Sequence, residues 1–102
     1  MASKRKKRQL SPKQVQIIRD IRSAILDIMA RPGKKPGTVM QIASVFHELA
    51  DHFRVSFDRI ISLGNKMIWA ALYLLELQGW IMIDFTRPRL KLVRIPRSEH
   101  GH

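Results

Sequence analysis

Cysteine is absent from this 102-residue chain, which excludes disulfide frameworks, thiolate-built zinc sites and cysteine nucleophiles. Acidic residues are scarce: eight Asp and Glu stand against nineteen Lys and Arg, a net charge of +11 with a pI near 11.2. That imbalance selects a polyanionic partner, and nucleic acid is the commonest one. Long hydrophobic runs are missing too. The longest, Met67 to Leu75, falls well short of the roughly 18 residues that cross a bilayer, so no membrane partner is expected. The residues after Met1 are polar and basic, without the apolar centre of a secretion signal. The expectation is a protein that stays where it is made, cytoplasmic and associated with the nucleoid, or nuclear in a eukaryotic host. Neither a Gly-x-Ser-x-Gly elbow nor a Gly-x-x-x-x-Gly-Lys-Ser/Thr phosphate loop occurs. His47 and Asp51 lie one helical turn apart, as do Glu48 and His52, but this mixed polar set reads as the solvated side of a helix. No catalytic residues, metal or cofactor are expected, and the chain reads as a non-enzyme.

What remains is 45% hydrophobic and 26% charged, suited to one small folded domain. Its positive charge sits at the two ends. Residues 1–37 hold eleven Lys or Arg against Asp20 and Asp27, residues 38–85 are slightly acidic, and residues 86–102 hold five Lys or Arg against Glu99. The boundaries follow: a flexible basic arm over 1–10, a folded domain over 11–96 and a polar tail over 97–102.

Within the domain, Ser11-Pro12 predicts a capped helix start, and Ile17, Ile18, Ile21, Ala24, Ile25 and Ile28 form an apolar stripe over residues 12–30. Leu26 and Met29 fall outside that stripe, an apolar surplus that predicts a homodimer. The basic segment Arg31 to Gly37 is a loop, since its two Pro and two Gly cannot continue a helix. Thr38 is read as the cap of a second helix burying Val39, Ile42, Val45, Phe46, Leu49, Ala50 and Phe53. Ser56 caps a short third helix through Ile61, Gly64 makes a turn, and a fourth helix runs from Asn65 to Gln78, ending at Gly79. The branched and aromatic runs Trp80–Phe85 and Leu90–Ile95, joined by Thr86-Arg87-Pro88-Arg89, predict a hairpin. The fold class is therefore mainly α with a C-terminal β-hairpin.

On the helical wheel Asn65, Lys66, Trp69, Tyr73 and Glu76 share one side of the last helix, opposite Met67, Ile68, Ala71, Leu72, Leu74 and Leu75. The segment SFDRIISLGNKMIWAALYLLELQGWI, with its Leu72-x-x-Leu75-x-x-x-Gly79-Trp80 run and the basic hairpin after it, resembles the DNA-binding half of the winged helix-turn-helix family. The resemblance covers roughly residues 56–95. It implies a recognition helix in the major groove and a basic wing on duplex DNA, the work of a dimeric transcriptional regulator. Asn65 then pairs with adenine and Lys66 with guanine or phosphate. Trp69 and Tyr73 either add apolar or phosphate contacts or pack against the first helix or another subunit. Arg59 joins the set from the helix before. Arg87, Arg89 and Lys91 form the wing tip, and Lys4, Arg5, Lys6, Lys7 and Arg8 form an arm for the backbone or minor groove. Alternative roles are an architectural or segregation protein that coats DNA with little sequence preference, an RNA-binding module, and an arm that docks on an acidic surface.

Overall fold

The computed structural model describes residues 11–96; the arm 1–10 and the tail 97–102 lie outside them. In chain order the elements are α1 (Pro12–Met29), β1 (Val39–Gln41), α2 (Ile42–Phe53), α3 (Phe57–Leu77), β2 (Ile81–Asp84) and β3 (Arg89–Leu92). The fold is mainly helical with a small three-stranded antiparallel sheet of order β1-β3-β2.

Local chemistry sets the helix starts. The Ser11 hydroxyl accepts the Gln14 N–H at 3.1 Å while the Gln14 side chain accepts the Ser11 N–H at 3.0 Å, a reciprocal capping box ahead of Pro12. Ser56 caps α3 by accepting the Arg59 N–H. Between them α2 ends on Arg54, whose φ of +59° turns the chain sharply, and the Val55 N–H closes onto the Ala50 carbonyl at 2.9 Å. Three residues therefore suffice to link α2 to α3.

The core gathers one side of each element: Ile18, Ile21, Ile25 and Ile28 of α1, Val45, Phe46 and Leu49 of α2, Ile68, Leu72 and Leu75 of α3, and the inward Met40, Ile81, Leu90 and Leu92 of the sheet. Ile17, expected in the stripe, is exposed at its edge. Met29 is fully buried and Leu26 packs against the same core. The surplus that predicted a dimer is absorbed within one chain.

Three expectations are corrected. First, Thr38 caps no helix. Its hydroxyl accepts the Lys35 N–H, and Val39 to Gln41 pair with β3 in the register Val39↔Lys91, Met40↔Leu90, Gln41↔Arg89. Consequently Val39, read as buried, is 52% exposed on the outer side of the sheet; Phe53, also read as buried, is 38% exposed at the end of α2. The hairpin adds a partner that lies fifty residues away in the chain, so no local pattern announces β1. Second, the hairpin strands differ from the runs that suggest them: Phe85 joins the turn, so β2 ends at Asp84, and β3 starts at Arg89 and ends at Leu92.

Third, Gly64 makes no turn: α3 is one helix of 21 residues. A helical Gly costs about 1 kcal/mol relative to Ala, less than the apolar side of α3 regains by continuing into the core. A methyl group added at Gly64 meets only the Ile68 side chain, at 3.7 Å, an ordinary contact. Gly64→Ala is therefore expected to stabilise the fold by about 0.5–1 kcal/mol, read as a Tm rise of a few degrees. A loss of stability would place the turn back at Gly64.

Candidate nucleic-acid interface

A side chain of α3 can reach a partner only where the core leaves it exposed. Asn65, Lys66 and Tyr73 are exposed, Trp69 is half-buried against the core, and Asp58, Arg59 and Ser62 extend the open side toward Ser56. Merging the two expected helices thus lengthens the outward side by two turns. Glu76 is only half-buried and is committed elsewhere: its carboxylate accepts the Ile83 N–H at 2.9 Å, covering the open edge of β2.

That bond lays β2 along α3, and it decides where the hairpin turn goes. Ile81 and Ile83 point inward, and Phe85 continues their alternation past the end of the core. Its ring therefore lands on the outward side of α3, 6.3 Å from the Trp69 ring and 6.0 Å from the Tyr73 ring; Trp69 and Tyr73 are 5.7 Å apart. Tyr73 is 49% and Phe85 61% exposed. On the other side of the turn, the Pro88 carbonyl accepts the Ile42 N–H at 3.0 Å, docking the tip on the start of α2. A groove of about 290 Å³ results, with Gln41, Phe46, Phe57, Asn65, Trp69 and Pro88 among its walls. Helix side and hairpin tip form one surface.

The turn is held by Asp84, whose carboxylate accepts the N–H groups of Thr86 at 3.0 Å and Arg87 at 3.3 Å. The Arg87 amide is the main cause holding this carboxyl below its ordinary range; partial desolvation opposes it, and the Thr86 amide and the charges of Arg89 and Arg87 reinforce it. Arg89 is half-buried and lies 3.9 Å from Asp84, so its charge is partly offset.

The cations named from the sequence thus separate. Lys66 precedes Trp69 by one turn of α3 and Arg87 follows Phe85 by two residues in the hairpin turn, and neither forms an ion pair among the described residues. Lys91 stands on the outer side of the sheet, its neighbours in register Val39 and Met82. Arg59 lies away from the hairpin, on a groove shared with Ile17, Asp20 and Phe53. Arg31 and Lys34 are both tied to Glu48, at 3.3 and 3.8 Å. Lys4, Arg5, Lys6, Lys7 and Arg8 lie outside the described residues.

Sequence reasoning missed Phe85, treating it only as the end of a strand. The available signal was its parity with Ile81 and Ile83, one residue beyond the end of β2 at Asp84. The histidines of α2 do other work. His47 stacks on Phe57 with centroids 3.9 Å apart and planes at 16°, while Glu48 is held by its two cations. Among the described residues no group of three His, Asp or Glu is gathered to hold a metal, and no helix is long and apolar enough to cross a membrane. Compared with protein-family models, curated proteins and solved structures, the chain finds no match in any of the three.

Proposed function

We propose that the chain binds duplex DNA in the manner of a winged helix-turn-helix protein, with α3 entering the major groove and the β2–β3 turn lying on the adjoining backbone. One observation carries this reading: the Phe85 ring of the hairpin turn lies beside Trp69 on the outward side of α3, and Pro88 shares a groove with Asn65 and Trp69. A long helix followed directly by a basic hairpin supports it, since the resemblance implies a recognition helix and a wing. In this reading Asn65 addresses a base edge, as amide groups do, while Lys66 and Arg87 hold phosphate.

The regulator form of the proposal places two copies on half-sites about one helical turn apart. The coating form needs no such spacing. Competition by unrelated duplex separates them, since a specificity ratio below about 10³ assigns the coating form.

The test is the double variant Lys66→Ala, Arg87→Ala. Both side chains are exposed, so Tm should hold. If each contacts one phosphate, the slope of log K against log salt becomes shallower by about 1.8, twice the 0.9 per phosphate of B-DNA. An unchanged slope removes this surface from the interface.

A further inference from the structure

An exposed cluster of three aromatic rings is costly to leave in water, because soluble domains seldom expose contiguous apolar patches without a use for them. Trp69, Tyr73 and Phe85 form such a cluster, and only Trp69 is substantially covered. Duplex DNA offers it little. Base faces are stacked inside a duplex, and the major groove presents edges and the thymine methyl rather than ring faces. An unpaired base, by contrast, exposes a π face of matching size, and stacking on aromatic side chains is how single strands are commonly held.

The charges around the rings point the same way. Two carboxylates are nearby, and both are engaged: Glu76 accepts the Ile83 amide, and Asp84 accepts two turn amides beside Arg89. Lys66, one helical turn before Trp69, and Arg87, two residues after Phe85, form no ion pair among the described residues. Exposed rings with cations close by in the chain suit a base joined to its phosphate.

We infer that the Trp69–Tyr73–Phe85 cluster is a stacking platform for an unpaired DNA base, so that the protein prefers duplex DNA interrupted or extended by a short single strand over blunt duplex. The inference rests on the duplex-binding reading and narrows its substrate. Phe85 is the residue most specific to it, since it stands on the hairpin turn and is the most exposed of the three.

The experiment compares two probes, a blunt duplex and the same duplex carrying a short oligothymidine extension, in a Trp80→Phe background. The chain has two Trp, and Trp80 lies beneath the Arg94 guanidinium at 4.1 Å, so the substitution leaves Trp69 as the reporter. Binding of the extended probe should quench Trp69. The extended probe should also bind about 5- to 150-fold more tightly than the blunt one, the value of one stacked base. In Phe85→Ala that ratio should collapse toward one, and Phe85→Leu should fail to restore it, because leucine keeps the apolar area without the π face.

A ratio of one in the starting protein, with steeply salt-dependent blunt binding retained, overturns this inference and leaves the duplex reading standing. No binding of either probe overturns both. Tighter binding of an RNA extension than of the DNA extension overturns the assignment to DNA. Sedimentation showing that Phe85→Ala splits a dimer while the probe ratio survives gives the rings to a second copy of the chain, and overturns it too.

Discussion

Affinity of the full chain for duplex DNA should fall about 10³- to 10⁵-fold between 50 and 200 mM salt, the loss expected when six to ten cations touch phosphates. The structure narrows which cations contribute. Arg31 and Lys34 already share Glu48. Arg22 donates to the Gln78 side chain at 2.8 Å, and Arg94 donates to the Gln78 carbonyl at 3.0 Å while lying over Trp80. Arg89 is beside Asp84. Among the described residues the named cations without such engagements are Arg59, Lys66, Arg87 and Lys91; with Lys4, Arg5, Lys6, Lys7 and Arg8, which lie outside those residues, the candidates number nine. That set is the right size. Removing residues 1–10 should therefore retain a salt slope of at most about −3.6, four phosphates at 0.9 each. Binding measured by fluorescence anisotropy across a salt series checks both values. A slope near zero for the full chain means that the positive charge serves solubility and not a phosphate ladder.

A comparably large effect is expected on stability from Leu72→Ala. Leu72 is 0% exposed, within the cluster formed by α1, α2, α3 and the sheet. Truncating a fully buried Leu removes its transfer free energy and leaves a cavity, together about 2–5 kcal/mol. Small domains have only about 5–15 kcal/mol in total, so the variant stands near the edge of folding, with Tm lower by about 10 °C or more. Tyr73, its neighbour in sequence, faces the other way. Tyr73→Ala should cost far less, because Tyr73 is 49% exposed, its ring beside those of Trp69 and Phe85. Denaturant midpoints of the two variants at a common m-value make the comparison. Equal losses would place α3 in a different rotation about its axis, and the outward side with it.

The contrast between these adjacent residues could be read directly from helical spacing, since both the apolar and the open side of α3 repeat at three and four residues. Capping was equally accessible: Ser11 and Ser56 cap because a hydroxyl just before a helix satisfies free amides. What escaped were features set by distant neighbours. The strand Val39 to Gln41 exists because β3 offers it a hydrogen-bonding edge, and three residues alone carry no period to detect. The helix runs through Gly64 because Ile68, Leu72 and Leu75 must reach the core in one register. Local propensity argued for a break, and burial outweighed it. Met29 lies outside the simple stripe of α1 yet is buried, since α1 is covered by more than one neighbour and its buried sector is correspondingly wide.

The candidate interface shows the same division. Exposure of Asn65, Lys66 and Tyr73 follows from the helical wheel, and a basic hairpin tip follows from the turn sequence. Their adjacency does not. It depends on β2 lying back along α3, on the Glu76 bond to the Ile83 amide, and on Phe85 overhanging the core. Similarly, that Arg31 and Lys34 are occupied by Glu48 requires the loop after α1 to fold over α2. A charge tally cannot separate free cations from engaged ones.

Whether the α3 side and the hairpin tip meet the same nucleic acid is best tested by mapping backbone amide shifts on adding a short duplex to the isotopically labelled protein. The expected pattern is a contiguous set of changes at Asn65, Lys66, Trp69, Tyr73, Phe85 and Arg87, with the outer side of α1 and the Arg31–Gly37 loop silent. Changes concentrated on α1 and that loop, with the hairpin turn unmoved, would contradict it.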